Sequence, residues 1–168
     1  MALSMSSVGT QSFLTTLGAL SKILDKAAAH CASKKIDQAV LLQTRLTPDM
    51  FPLVKQVQIA CDFAKNTLGR LTGEPPKFPD DEKTLDDLKA RITKTIDYVN
   101  SFKAEQIDGT QEKEVTFPIG PQNTMTLKGA QYLIAFALPN FYFHATTAYD
   151  ILRQCGVEIG KRDFLGRA

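Results

Sequence analysis

Phe141-Tyr-Phe-His-Ala-Thr-Thr-Ala-Tyr-Asp-Ile-Leu-Arg-Gln-Cys155 is the stretch from which the fold class can be read. On a helical wheel with His144 at zero, Ala148 and Ile151 fall within ~40° of it, Cys155 at ~20° and Phe141 at ~60°. Tyr142, Thr146, Tyr149 and Arg153 point the other way. The segment is therefore an amphipathic helix with one apolar stripe, and a histidine stands near the middle of that stripe. A histidine facing a core must lose its charge or find a partner.

Three segments upstream repeat the pattern. Phe13, Leu17, Leu20, Leu24, Ala27, Ala28 and Cys31 predict a helix over about residues 6–31. Leu53, Val57, Cys61, Ala64, Leu68 and Leu71 predict a second long helix, stopped by Gly73. It opens within Thr47-Pro-Asp-Met-Phe-Pro52, capped by Thr47 or by Asp49. Thr84 and Asp87 stand at capping-box spacing and open a third, with Leu85, Leu88, Ile92, Ile96, Val99 and Phe102 inward. Its other face carries Asp86, Asp87, Lys89, Arg91, Lys94 and Asp97 and reads as solvated.

Between these, residues 37–43 suit a short helix, and residues 74–81 form a loop with three prolines. Val115, Phe117 and Ile119, then Met125 and Leu127, alternate with polar residues as a hairpin does. The last helical region covers residues 129–154 and is interrupted or kinked near Pro139. Four striped helices with short connections bury their faces most simply as an antiparallel four-helix bundle. The expected architecture is all-α, one domain over residues 1–168, with a small β-hairpin before the last helix.

Composition narrows the function. The 168 residues carry 20 Lys and Arg against 18 Asp and Glu, so the net charge of +2 offers no footprint for nucleic acid or an anionic membrane. No apolar run approaches a membrane span, and the polar start lacks the pattern of a secretory signal. Cys31, Cys61 and Cys155 are dispersed and odd in number, which reads as reduced thiols in a cytoplasmic protein. Only two histidines are present, too few for a three-histidine metal site. Gly109, Gly120 and Gly129 are scattered, so no phosphate-binding loop exists, and there is no G-x-S-x-G nucleophile elbow. Cys31 and His30 are helical neighbours that point ~100° apart and make no nucleophile–base pair.

His144 is thus the candidate functional residue. On the second long helix Gln56 lies at the edge of the stripe, where it can meet an imidazole across the bundle. Thr95 lies on the inward stripe of the third, and Thr147 flanks His144 on its own helix. No carboxylate or second histidine occupies a stripe centre, so no metal site is expected.

Further motifs carry a resemblance. Arg45-Leu-Thr-Pro-Asp-Met-Phe-Pro-Leu53, Gly69-Arg-Leu-Thr-Gly73, Leu138-Pro-Asn-Phe-Tyr-Phe-His144 and Gly160-Lys-Arg-Asp-Phe-Leu-Gly166 resemble an uncharacterised domain family of the DinB/YfiT-like superfamily. That superfamily includes metal-dependent enzymes and thiol-dependent transferases. The resemblance implies a four-helix bundle, often dimeric, with a site between the second and fourth long helices. It implies ligands from a His on the second helix and a His-x-x-x-His pair on the later one. His144 stands where the first of that pair would stand, Ala148 occupies the second place, and Gln56 or Gln58 the place on the second helix.

The expectation is a small-molecule ligand in a pocket around His144, with Gln56, Tyr132 and Thr147, where the superfamily metal site has degenerated. His144 is the one candidate for acid–base work, and no cofactor is expected. The alternative is a non-catalytic bundle that forms a homodimer or binds a partner. A third reading assembles a metal centre from His144, Asp62 and water.

Overall fold

The structure, a computed structural model, describes residues 3–167. Ser4 caps α1 (Met5–Lys34) through a capping box with Ser7, and Lys35 ends it in the left-handed region. Asp37 caps the short α2 (Gln38–Gln43). Next come α3 (Leu53–Thr72) and α4 (Leu85–Asn100), the latter opened by the Thr84–Asp87 capping box. A single turn, α5 (Ala104–Ile107), leads to the antiparallel pair β1 (Glu114–Pro118) and β2 (Thr124–Lys128). After α6 (Gly129–Gln131) and a π-helical stretch, Tyr132–Ala137, α7 (Leu138–Gln154) continues the same rod. A last turn, α8 (Lys161–Phe164), packs on α1.

The four long helices close a ring. Helix α1 packs on α4 and α7, and α3 packs on α4 and α7 from the other side. Their apolar stripes meet in one core that includes Phe13, Leu17, Leu24, Leu53, Leu68, Leu88, Phe141 and Ile151. The hairpin lies against this core by one strand. Val115 and Phe117 are buried, whereas Ile119 and Met125 on the expected apolar face remain exposed.

Helix α3 opens later than either cap expectation. Pro52 is its N-cap, in extended backbone and without a side-chain cap bond. Thr47 donates its hydroxyl to Asp49 at 2.7 Å, so both capping side chains are consumed in a turn upstream. The proline also holds Phe51 out of the helical region, so the helix cannot start before it.

The bend expected at Pro139 is absorbed by the π-helical stretch just before it. A proline lacks the N–H that would meet the carbonyl four residues back, and its ring needs room there. The wider turns of Tyr132–Ala137 provide that room. Asn140 then donates its side-chain amide to the Phe136 carbonyl at 2.8 Å. Gly129 is required where this rod begins, because a Cβ there would lie 2.0 Å from the Thr110 carbonyl oxygen.

Arg91 departs from the solvated face assigned to it. Its side chain is 2% exposed, and it bonds Asp62 at 3.0 Å, Asp80 at 3.0 Å and Glu82 at 2.9 Å. It also donates to the Pro79 carbonyl at 2.8 Å. The proline loop, residues 74–81, folds over the arginine and takes it out of water, with Phe78 under its guanidinium. Replacing Arg91 by Ala removes the cation that joins three carboxylates; Asp62 and Asp80 keep Lys65 and Lys55, and the buried Glu82 loses its cation. We expect a loss of about 3–5 kcal/mol in urea unfolding, against almost no change for Lys89→Ala, which removes only surface pairs with Asp25 and Asp86.

Candidate functional site

Helices α3 and α7 bring His144 and Gln56 together. His144 Nδ1 lies 2.7 Å from Gln56 Oε1. The Gln56 amide is oriented from its other end, where Nε2 donates to the Phe51 carbonyl at 3.0 Å. Its Oε1 can only accept, so His144 Nδ1 carries the proton and Nε2 holds the lone pair. Arg91 Nε is the one buried side-chain nitrogen or oxygen without a partner among the described residues. His144 Nε2, which also has no protein partner, is therefore reached by solvent.

The imidazole is half-buried rather than central to the core. The inward line of α7 is Phe141, Ala145, Ala148, Ile151 and Leu152, all buried. That arc is centred ~60° from His144, which puts the ring at the edge of the core. Burial still lowers its pKa, from 6.5 to about 4, so the ring is neutral at pH 7. Its faces are aromatic. Phe63 stacks on it with centroids 6.0 Å apart and planes 17° apart, and Phe143 meets it edge-on at 5.2 Å.

Tyr132 and Thr147 are placed differently. Thr147 is buried and donates its hydroxyl to the Phe143 carbonyl one turn back, at 2.8 Å. Tyr132 is buried in the π-helical stretch, where its hydroxyl accepts from Arg70 Nη1 at 3.0 Å. It reaches the His144 neighbourhood only through rings, Tyr132 to Phe136 at 6.1 Å and Phe136 to Phe63 at 5.9 Å. Thr95 is buried elsewhere and donates to the Arg91 carbonyl. Sequence reasoning missed Phe63 and Phe136. The signal was available for Phe63, which sits seven residues after Gln56 and so shares its helical face.

The donor set does not fit a metal. Among the described residues no three His, Cys, Asp or Glu side chains converge. Gln56 spends both ends of its amide on Phe51 and His144, and Ala148 has no donor. Asp62 is held by Arg91 at 3.0 Å and Lys65 at 3.2 Å. Cys61 supplies no thiolate, because burial pushes its thiol up to about 12.

The neutral ring has a pH signature. Its folded pKa lies below the ordinary histidine value, so the unfolded chain binds more protons between about 6.5 and about 4. Stability contributed by His144 is complete above 6.5 and is lost as the pH falls through that window. Nuclear magnetic resonance of the ring should give a midpoint near 4 and the Nδ1–H tautomer at pH 7. A midpoint above 6 would remove the desolvated ring from the account.

Comparison with known proteins agrees with the helical fold. A family described as a domain of unknown function (DUF1993) matches residues 5–165. No curated protein matches the chain. A crystal structure of a DinB family member protein from Shewanella denitrificans is 41% identical, with a TM-score of 0.88, covering 96% of this chain and 91% of that one. A match along nearly the whole chain, in sequence and in fold, makes this protein a member of the DUF1993 family, with a DinB-like fold.

Proposed function

We propose that the chain is a DinB/YfiT-like antiparallel four-helix bundle that binds a small molecule at His144. The observation that carries this reading is the orientation of one amide. Burial keeps the imidazole neutral, and Gln56 orients it with its Nε2 lone pair turned to solvent, between the Phe63 and Phe143 rings. Such an arrangement accepts a hydrogen bond from a ligand donor while the ligand's apolar body covers the rings. With a pKa of about 4 the ring is a weak base at neutral pH, so the geometry favours binding and orientation over proton abstraction. Tyr132 and Thr147 serve the site as framework. The three free thiols suit a reducing cytoplasm.

A second reading rests on Phe51, Ile134 and Phe143, which are 54%, 58% and 55% exposed. Phe51 and Phe143 flank the His144–Gln56 pair, so the same face would serve a non-catalytic homodimer or a protein partner. Sedimentation of the full chain separates the two, since a monomer at high concentration removes the homodimer.

Phenol is a suitable probe of the first reading, as a flat apolar donor. In titrations followed by amide and ring resonances it should shift His144 and Gln56. Its binding should fall as the pH drops through about 4, where Nε2 takes a proton and stops accepting. His144→Phe should keep the fold and abolish the shifts. No response from His144 in the wild type, or a more stable variant that still binds phenol, leaves the ring as packing only.

A further inference from the structure

Helix α3 presents a second polar feature on the face that carries Gln56. Ile59, Phe63, Asn66 and Arg70 follow at helical spacing and line one side of a groove of about 220 Å³. Phe117 from the hairpin and Phe136 from the π-helical stretch close the other side. These rings lie 4.5 Å apart by centroid.

Arg70 is held in place at this groove. Its Nη1 donates to the buried Tyr132 hydroxyl at 3.0 Å, and its guanidinium carbon lies 5.7 Å from the centre of the Phe117 ring. The backbone fixes it as well. A Cβ at Gly69 would stand 2.6 Å from Pro75 Cα, so the returning loop presses directly on the helix one residue before Arg70. Among the described residues no carboxylate lies within 4.0 Å of Arg70, whereas Arg91 meets three. Of five guanidinium N–H donors, one is used inside the chain. Asp62 also borders the groove, but Arg91 and Lys65 take its charge. Eight residues of helix separate it from Arg70, a rise of ~12 Å.

We propose that this groove takes a small carboxylate, with Arg70 as its anchor and Phe63, Phe117 and Phe136 as its apolar walls. The planar fork of a guanidinium matches a carboxylate in two parallel hydrogen bonds. A single cation among rings suits a monoanion with an apolar body, and the volume suits a one-ring acid rather than a larger cofactor. Neither His144 nor Gln56 lines this groove, which shares only Phe63 with their site, so the proposal goes beyond the reading at His144 and does not rest on it.

Titration of the full chain with benzoate, benzamide and inorganic phosphate, followed by amide resonances, tests it. Benzoate should shift Phe63, Asn66, Arg70 and Phe136, and benzamide should bind about ten-fold more weakly. Arg70→Gln should lose about ten-fold in benzoate affinity. Lys89→Gln, which removes a surface cation remote from the groove, should bind benzoate as the wild type does. Equal binding of benzamide to the wild type overturns the proposal without need of any variant. So do tighter binding of phosphate, unchanged benzoate binding by Arg70→Gln, and the absence of any response to benzoate. Benzoate shifts confined to His144 and Gln56 also sink the Arg70 anchor while the His144 reading stands. Arg70-dependent binding that leaves His144 and Gln56 unmoved, and that His144→Phe does not weaken, supports the anchor as a site separate from the one at His144.

Discussion

The amide of Gln56 has two ends, and the structure uses both. Its N–H end faces the Phe51 carbonyl and its oxygen faces the imidazole of His144. That one orientation settles the tautomer of the ring, and the tautomer settles which nitrogen is open to solvent. The arrangement depends in turn on Pro52. A residue before proline stays extended, so Phe51 lies outside the ladder of α3 and its carbonyl remains free for a side chain. A helix begun at Thr47 would have drawn that carbonyl into its own ladder and left the amide without a reference.

Helix α3 also sorts its charges. Gln56, Ile59, Phe63, Asn66 and Arg70 share one face, whereas Asp62 and Lys65 turn toward Arg91 and the proline loop. The acidic groups of this region are thereby neutralised around Arg91, at the far side of the groove from Arg70. A free carboxylate close to Arg70 would have quenched it, and a cation close to His144 would have further opposed protonation of an already desolvated ring. The two arginines show what partners decide. Arg91 is paired with three carboxylates and structural, and Arg70 has donors to spare.

Much of this was legible in the residues. The period of apolar side chains marked α1, α3, α4 and α7, because core burial leaves its spacing on the sequence. The Thr84–Asp87 box was legible because a capping box is local. Gln56 opposite His144 could be expected from stripe edges alone. Arg91 could not, because its burial comes from a loop folding back from outside its helix, and the helical wheel carries no trace of a loop. The start of α3 was misread for a similar reason. Thr47 and Asp49 are both good caps, and nothing in their order says that they bond each other. The π-helical stretch left only the proline as a sign, and the aromatic series it aligns became visible only in three dimensions.

An imidazole that binds a metal needs a neutral ring, an acceptor for its second N–H, and companions that converge on the same point. His144 keeps the first two, through burial and Gln56, and lacks the third. A ring in that condition is a fixed, uncharged acceptor at every pH above about 4. What it can recognise is a donor, and what surrounds it is aromatic surface running from Phe63 through Phe136 to Phe117 and the guanidinium of Arg70. Under the proposed function the loss of metal ligands does not empty the site. It leaves a directional acceptor on α7 beside aromatic rings, while the cation of the neighbouring groove, Arg70, stands on α3. Selectivity at His144 then comes from one donor–acceptor contact and the shape of the rings around it rather than from coordination chemistry.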